Sequence, residues 1–325
     1  MSLLSRFLSG DRLALARMIT YIEDRAPGYH EALARIFAHR RGAYRVGVTG
    51  PPGAGKSSLV NRLALKLANE GHQVGVVAVD PSSPFTGGAL LGDRVRMQSL
   101  YGLPGVFVRS MATRGSPGGL AAATRDVCVA FEGFGFDLIL VETVGVGQVE
   151  LDVASVCDTV IVVFVPESGD AIQAMKSGLM EIADVFCINK ADRPGAERVK
   201  AELESILEVK QEIRRSAAKS TASTPHWNPP VLTTVAVDDE GTDGLWEATQ
   251  SHRRFHDAAD PNGVVRRRAR ADLTLSLAEL ARLRMEDQIL VAAEFEQAVE
   301  QIATAQADPY TLARRLFDAW CRSRE

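Results

Sequence analysis

Gly50-Pro51-Pro52-Gly53-Ala54-Gly55-Lys56-Ser57 fits the spacing G-x-x-x-x-G-K-[ST], which cradles the phosphates of a nucleoside triphosphate. Glycines let backbone N–H groups turn inward, and the helix that follows adds its positive N-terminus. Lys56 reaches the β/γ-phosphates and Ser57 offers its hydroxyl to Mg²⁺. Gly53, Ala54, Gly55, Lys56, Ser57 and Ser58 are thus candidate phosphate-binding residues, Lys56 being also catalytic. A second signal is Asn189-Lys190-Ala191-Asp192, an N-K-x-D tetrapeptide. Asp192 can accept hydrogen bonds from guanine N1–H and N2–H₂, which adenine does not offer. A buried carboxylate there would reject ATP by being left unpaired. Asn189 braces the loop, and the stem of Lys190 covers the base.

Carboxylates also stand where strands end. Val74-Gly75-Val76-Val77-Ala78-Val79 closes at Asp80, and a long Gly/Pro/Ser-rich loop then leads to Asp93. Either Asp can hold Mg²⁺ directly or through water, although each alone also reads as a cap or turn residue. Asp137-Leu138-Ile139-Leu140-Val141 closes at Glu142 and enters a loop with Gly145 and Gln148. Phosphate-sensing switches are built this way: the carboxylate orients water or metal, and a glycine N–H bonds the γ-phosphate. Asp93, Glu142 and Gly145 join Lys56 as catalytic candidates, and Ser57, Asp80, Asp93 and Glu142 form the candidate metal set. Val235 and Ala236, closing the seventh strand, are grouped with the nucleotide-binding residues.

Something must hold these residues together. From Tyr44 onward, strand patterns near 45–49, 73–79, 105–109, 137–142, 159–165, 184–188 and 231–236 alternate with helical or loop segments. The expected fold is α/β: a doubly wound, mostly parallel sheet, with ligands outside the carboxyl ends of its strands. Residues 11–40 read as a helical pair broken at Pro27-Gly28, with Leu15, Ile19 and Ile22 on one stripe and Leu33, Ile36 and Phe37 on another. The tail from Pro261 is helical, with Leu273, Leu277 and Leu280 on one face and a last helix capped by Asp308 before Pro309. The division is an N-terminal helical segment (1–43), a nucleotide-binding domain (44–258) and a C-terminal helical arm (259–325).

Other features read as structural. Arg109 and Arg114 in the loop-like stretch 109–119 are possible phosphate contacts, though structural arginines are commoner. The run Arg266-Arg267-Arg268-Ala269-Arg270 reads as a solvated face, and the formal net charge of -4 gives no case for nucleic acid. His252 and His256 stand at i, i+4 without a Glu between them, so they read as solvated helix residues. Cys128, Cys157, Cys187 and Cys321 lack C-x-x-C spacing, which suits a reduced cytoplasm. The apolar run at the N-terminus is short for a signal peptide, and no stretch reaches membrane-span length.

The combination G-P-P-G-A-G-K-S-S, V-D-P-S-S-P-F-T-G-G-A-L-L-G-D-R, V-E-T-V-G-V-G-Q, E-S-G-D-A-I-Q-A-M-K-S-G and N-K-A-D closely resembles the MeaB family, also called the methylmalonic aciduria type A or ArgK-like GTPases. The resemblance runs from about Asp11 to about residue 255. It implies a SIMIBI-class P-loop GTPase that uses GTP/GDP and Mg²⁺. It also implies a chaperone that gates adenosylcobalamin loading from an adenosyltransferase and protects an acyl-CoA mutase of the methylmalonyl-, isobutyryl- or 2-hydroxyisobutyryl-CoA type. Carried over by residue, Gln173 and Lys176 couple nucleotide state to the mutase, and the arm makes a homodimer. Two rivals stand beside it: a metal-delivery GTPase of the same class, and a transport-linked or phosphotransferase ATPase. The first calls for Cys/His clusters absent from the sequence, and Asp192 opposes the second.

Overall fold

The computed structural model describes residues 2–80, 97–112, 119–143, 155–166, 178–218 and 226–322. Seven strands, β1 (Tyr44–Thr49), β2 (Val74–Asp80), β3 (Val106–Ala112), β4 (Leu138–Glu142), β5 (Thr159–Phe164), β6 (Val185–Asn189) and β7 (Val231–Thr234), form one sheet in the order β3-β2-β4-β1-β5-β6-β7. Every pairing between these strands is parallel. The strands are Val/Ile-rich and buried on both faces, as a sheet covered by helices on two sides requires. β1 sits between β4 and β5, with Val48 level with Glu142 and Thr49 level with Val162. The chain therefore leaves β1 at the point where the winding reverses, which is where a crevice opens.

Three helices, α1 (Leu3–Leu8), α2 (Arg12–Glu23) and α3 (Tyr29–Phe37), precede the sheet. Asp11 caps α2 by accepting from Leu13 and Ala14 N–H, and Leu15, Met18, Ile19 and Ile22 are buried along one face. Together with Ile36 they join Phe131, Phe136 and Ile139 in one core on one side of the sheet. Phe37, expected on the inner stripe, is exposed, and the guanidinium of Arg40 lies over its ring at 3.6 Å. The other face is covered by α4 (Lys56–Asn69), whose Leu59, Val60, Leu63 and Leu67 are fully buried. The remaining helices of this part are α5 (Gly119–Phe134), the short α6 (Leu179–Ile182), α7 (Ala196–Ala218) and α8 (Thr242–Ala259).

β3 runs three residues past its expected end. Arg109 therefore lies in a strand, where it ion-pairs with Glu23 and donates to Thr20 on α2. Its role is structural, while Arg114 lies outside the described residues.

The basic run is likewise not simply a solvated face. It sits in α9 (Gly263–Gln288), and Arg268 donates to Glu132 Oε1 at 3.0 Å, ion-pairs with Asp158 and reaches the Ala43 carbonyl at 3.1 Å. Glu132 also takes Arg45, the two ions 2.9 Å apart and both fully buried. The chain divides into two compact units, residues 1–271 and 272–325. In the second, α10 (Ala293–Ala303) and α11 (Pro309–Arg322) pack together, and Asp308 accepts from Thr311 N–H at 2.8 Å as the expected cap. Leu273, Leu277 and Leu280 are exposed, as is Tyr310 at 84%.

Candidate nucleotide site

The loop between β1 and α4 is held in shape from three sides. Gly50 has φ +137, and a Cβ there would stand 2.1 Å from the Val163 carbonyl oxygen, so the turn off β1 requires glycine. Lys56, the first residue of α4, is buried, and its Nζ donates to the carbonyls of Gly50 at 2.7 Å and Pro51 at 2.9 Å. Its positive charge is thereby fixed inside the ring of the loop. The helix starts at Gly55 without a side-chain cap, so its N-terminus offers N–H groups and a positive dipole to an anion.

Ser57 and Glu142 meet beside this loop. Ser57 Oγ donates to Glu142 Oε1 at 2.6 Å, and both residues are buried. Thr143 Oγ1 donates to Thr49 Oγ1 at 2.8 Å, and its N–H to the Val48 carbonyl at 3.1 Å, locking the end of β4 to that of β1. Asp80 closes β2 on the far side of β4. Asp93, Gly145, Gln148, Gln173 and Lys176 lie outside the described residues.

The N-K-x-D loop belongs to the same construction. Asn189, buried at the end of β6, donates from Nδ2 to the Ala54 carbonyl at 2.8 Å. Its Oδ1 accepts from Ala236 N–H and from Thr234 Oγ1, both at 3.1 Å. One amide thus ties the phosphate loop, β6 and the loop after β7 together. Lys190, at φ +57, donates from Nζ to the Gly53 carbonyl at 2.8 Å, so its stem runs along the opening between the loops. Asp192 is exposed rather than buried, because the turn 190–193 projects beyond the sheet. Ala236 makes the contact that its grouping with the site anticipates, whereas Val235 is a buried residue bridged to Glu240.

Three supporting residues carry no signal in the sequence. Thr234 contacts Asn189 from β7, Arg62 donates from Nε to the Ala236 carbonyl at 3.0 Å, and Lys66 pairs with Asp243 at 2.6 Å. The first two reach across 45 and 174 residues, beyond any local motif. Cys187, buried against Thr234 Oγ1 at 3.2 Å, has its thiol pushed up to about 12 by burial, with the threonine contact opposing. It stays protonated and is packing, not chemistry.

The coupling through Asn189 gives a test. A Cβ at Gly55, where φ is +87, would stand 2.2 Å from Asn189 Nδ2. Gly55→Ala must strain the backbone by about 1–2 kcal/mol or displace that amide, so GDP affinity is expected to fall about tenfold or more. Calorimetric titration reads it, and unchanged affinity would show that the bridge does not shape the site.

A phosphate loop opening α4, a serine–carboxylate pair beside it and an N-K-x-D turn bonded to it define a P-loop GTPase. The model of the family described as methylmalonyl Co-A mutase-associated GTPase MeaB matches residues 15–294, and the chain belongs to that family. A relative from Pyrococcus abyssi named as a GTPase is 44% identical over 312 residues, covering 96% of this chain and 94% of that protein. The GTPase ArgK of Escherichia coli is 39% identical over 251 residues, 75% of this chain and 72% of that protein. A crystal structure of a protein titled LAO/AO transport system kinase matches with a TM-score of 0.64 at 27% identity, over 97% of this chain and 95% of that one. The chain is thus a guanine-nucleotide-binding GTP hydrolase. Among the described residues no helix is long and apolar enough to cross a membrane.

Proposed function

We propose that this GTPase is a nucleotide-controlled chaperone of an adenosylcobalamin-dependent acyl-CoA mutase, gating cofactor loading from an adenosyltransferase and protecting the loaded enzyme. The observation that carries the switch reading is the Asn189 bridge, which makes base recognition and phosphate grip one mechanical unit. The family's description as methylmalonyl Co-A mutase-associated supports the partner class, and the name of a mouse relative, methylmalonic aciduria type A homolog, agrees with it. That relative is 37% identical over 257 residues, 60% of its own length.

In this reading Lys56 and the N–H groups at the start of α4 hold the phosphates, and Asp192 accepts from the guanine edge. Ser57 and Glu142 present hard oxygen donors side by side, which fits Mg²⁺, with Asp80 and Asp93 completing the acidic surround. When bound, the ion would neutralise charge on the transferring phosphoryl group. Glu142 and Gly145 report the γ-phosphate, and Gln173 and Lys176 pass that state to the mutase. Turnover is slow, since the sequence supplies no arginine finger and only Gln148 as a candidate to position water. The exposed leucines of residues 272–325 suit pairing with a second copy. The metal-delivery and transport-linked readings gain no support from the described residues.

GTP turnover and GDP affinity measured with and without saturating apo-mutase test the proposal. One of the three mutase types is expected to change either quantity by about fivefold or more, a coupling at the lower end of the usual range. No change with any of them would remove the chaperone reading while leaving the GTPase intact.

A further inference from the structure

At the pole of the sheet opposite the phosphate loop, the segments leading into β6 and β7 leave a cleft of about 270 Å³. Asp184, on its wall, immediately precedes β6, and Asn189 ends that strand, so roughly 16 Å of chain separates cleft from nucleotide site. Its basic groups come from four segments: Lys210 and Arg214 on α7, His226 before β7, His256 on α8 and Arg267 on α9. Trp227 and Phe255 form an apolar wall, their ring centroids 5.5 Å apart.

The cleft is short of negative charge. Of its two carboxylates, Asp184 is already engaged: Oδ2 accepts from Val160 N–H at 2.9 Å, and Oδ1 faces buried His252 Nε2 at 3.2 Å. The other, Glu181, is exposed. Lys210 donates to the Met180 carbonyl at 3.3 Å, Arg214 donates to His226 Nε2, and Arg267 pairs with no carboxylate among the described residues. Burial and then Arg214 hold His226 below the usual range. Burial, His252 and Arg267 do the same to His256, against partial opposition from Asp184 and Asp257. His256 Nε2 lies 2.9 Å from His252 Nε2, and His252 Nδ1 lies 2.6 Å from Thr159 Oγ1, so both are cleft or core residues rather than solvated ones.

We propose that this cleft is a second ligand site, independent of GTP, that binds a compact organic dianion, a phosphate monoester or dicarboxylate, through Lys210, Arg214 and Arg267. The volume exceeds that of a bare phosphate, and the Trp227–Phe255 wall takes an apolar body of a few carbons. Charge-assisted hydrogen bonds from Arg214 and Arg267 suit two adjacent anionic oxygens. A bound dianion offsets the repulsion that Arg214 and Arg267 exert on protonated His226 and His256. Binding therefore takes up protons, and affinity rises as pH falls.

The test uses the full chain saturated with Mg²⁺ and GDP, so that the phosphate loop is filled. Phenyl phosphate and phthalate are titrated calorimetrically at about pH 8, well above the ordinary histidine value, and at about pH 6.5, on it. One-to-one binding is expected, with Kd about 1 mM or below at the lower pH and about threefold weaker at the higher. Repeating it in buffers of different ionisation enthalpy should show net proton uptake. The Arg214→Gln/Arg267→Gln double variant should lose about tenfold in affinity with GDP binding unchanged. The tighter probe assigns the ligand to phosphate esters or to carboxylates. Absence of saturable binding by both probes, proton release, or undiminished binding in the double variant would each overturn the proposal. If the double variant fails to hold GDP, Lys210→Gln and the proton count decide.

Discussion

Lys56→Ala is expected to lower GTP turnover by about 10²–10³-fold, the usual cost of removing one preorganised charge from a transition-state site. Lys56 Nζ is buried and already fixed by the carbonyls of Gly50 and Pro51, so little reorganisation precedes its contact with phosphate. Its loss removes a positive charge and also loosens the loop that it pins. Single-turnover hydrolysis at saturating GTP separates the two effects: a fall in rate at saturation is transition-state loss, while a fall cured by more GTP is binding. Turnover within about threefold of the native chain would place the chemistry elsewhere.

The second large effect is on stability. Glu132→Ala leaves Arg45, fully buried within β1, and Arg268, on α9, without the carboxylate that both share. Removing one partner of a buried ion pair costs about 3–5 kcal/mol, because the remaining charge is left in a low-dielectric interior. Asp158 moderates the loss by accepting from Arg45 N–H at 2.8 Å and pairing with Arg268. Urea unfolding of the native and variant chains reads the difference, and a midpoint shift worth less than about 1 kcal/mol would show the network to be solvated in practice.

These two residues show what sequence patterns convey. Lys56 is legible because its partners, Gly50 and Pro51, lie within six residues and the loop conformation dictates its own glycines. The strands are legible for a similar reason: a strand covered on both faces must be a run of β-branched and apolar residues. β3 was harder to bound. Its middle residue is Arg109, whose charge is met by Glu23 from α2, and no local pattern announces that pairing. Arg268 reads as a surface charge because its carboxylates lie 110 and 136 residues away. The burial of His252 has the same origin: Thr159, 93 residues earlier, supplies its hydrogen bond. Motifs set by backbone geometry were readable; polar contacts made by the folded sheet were not.

The central claim is that the phosphate loop and the N-K-x-D turn form a single guanine site, and relative affinity for GDP and ADP tests it most directly. A carboxylate that must be paired by the base rejects the analogue lacking those donors by about 10⁴–10⁵-fold in built sites. Asp192 stands exposed at the rim here, so a preference for GDP of about 10³-fold or more is expected of the native chain. Asp192→Asn should bring the two affinities within about tenfold while leaving the fold intact, since the side chain is on the surface. Equal affinities in the native chain, or undiminished discrimination in the variant, would contradict the account.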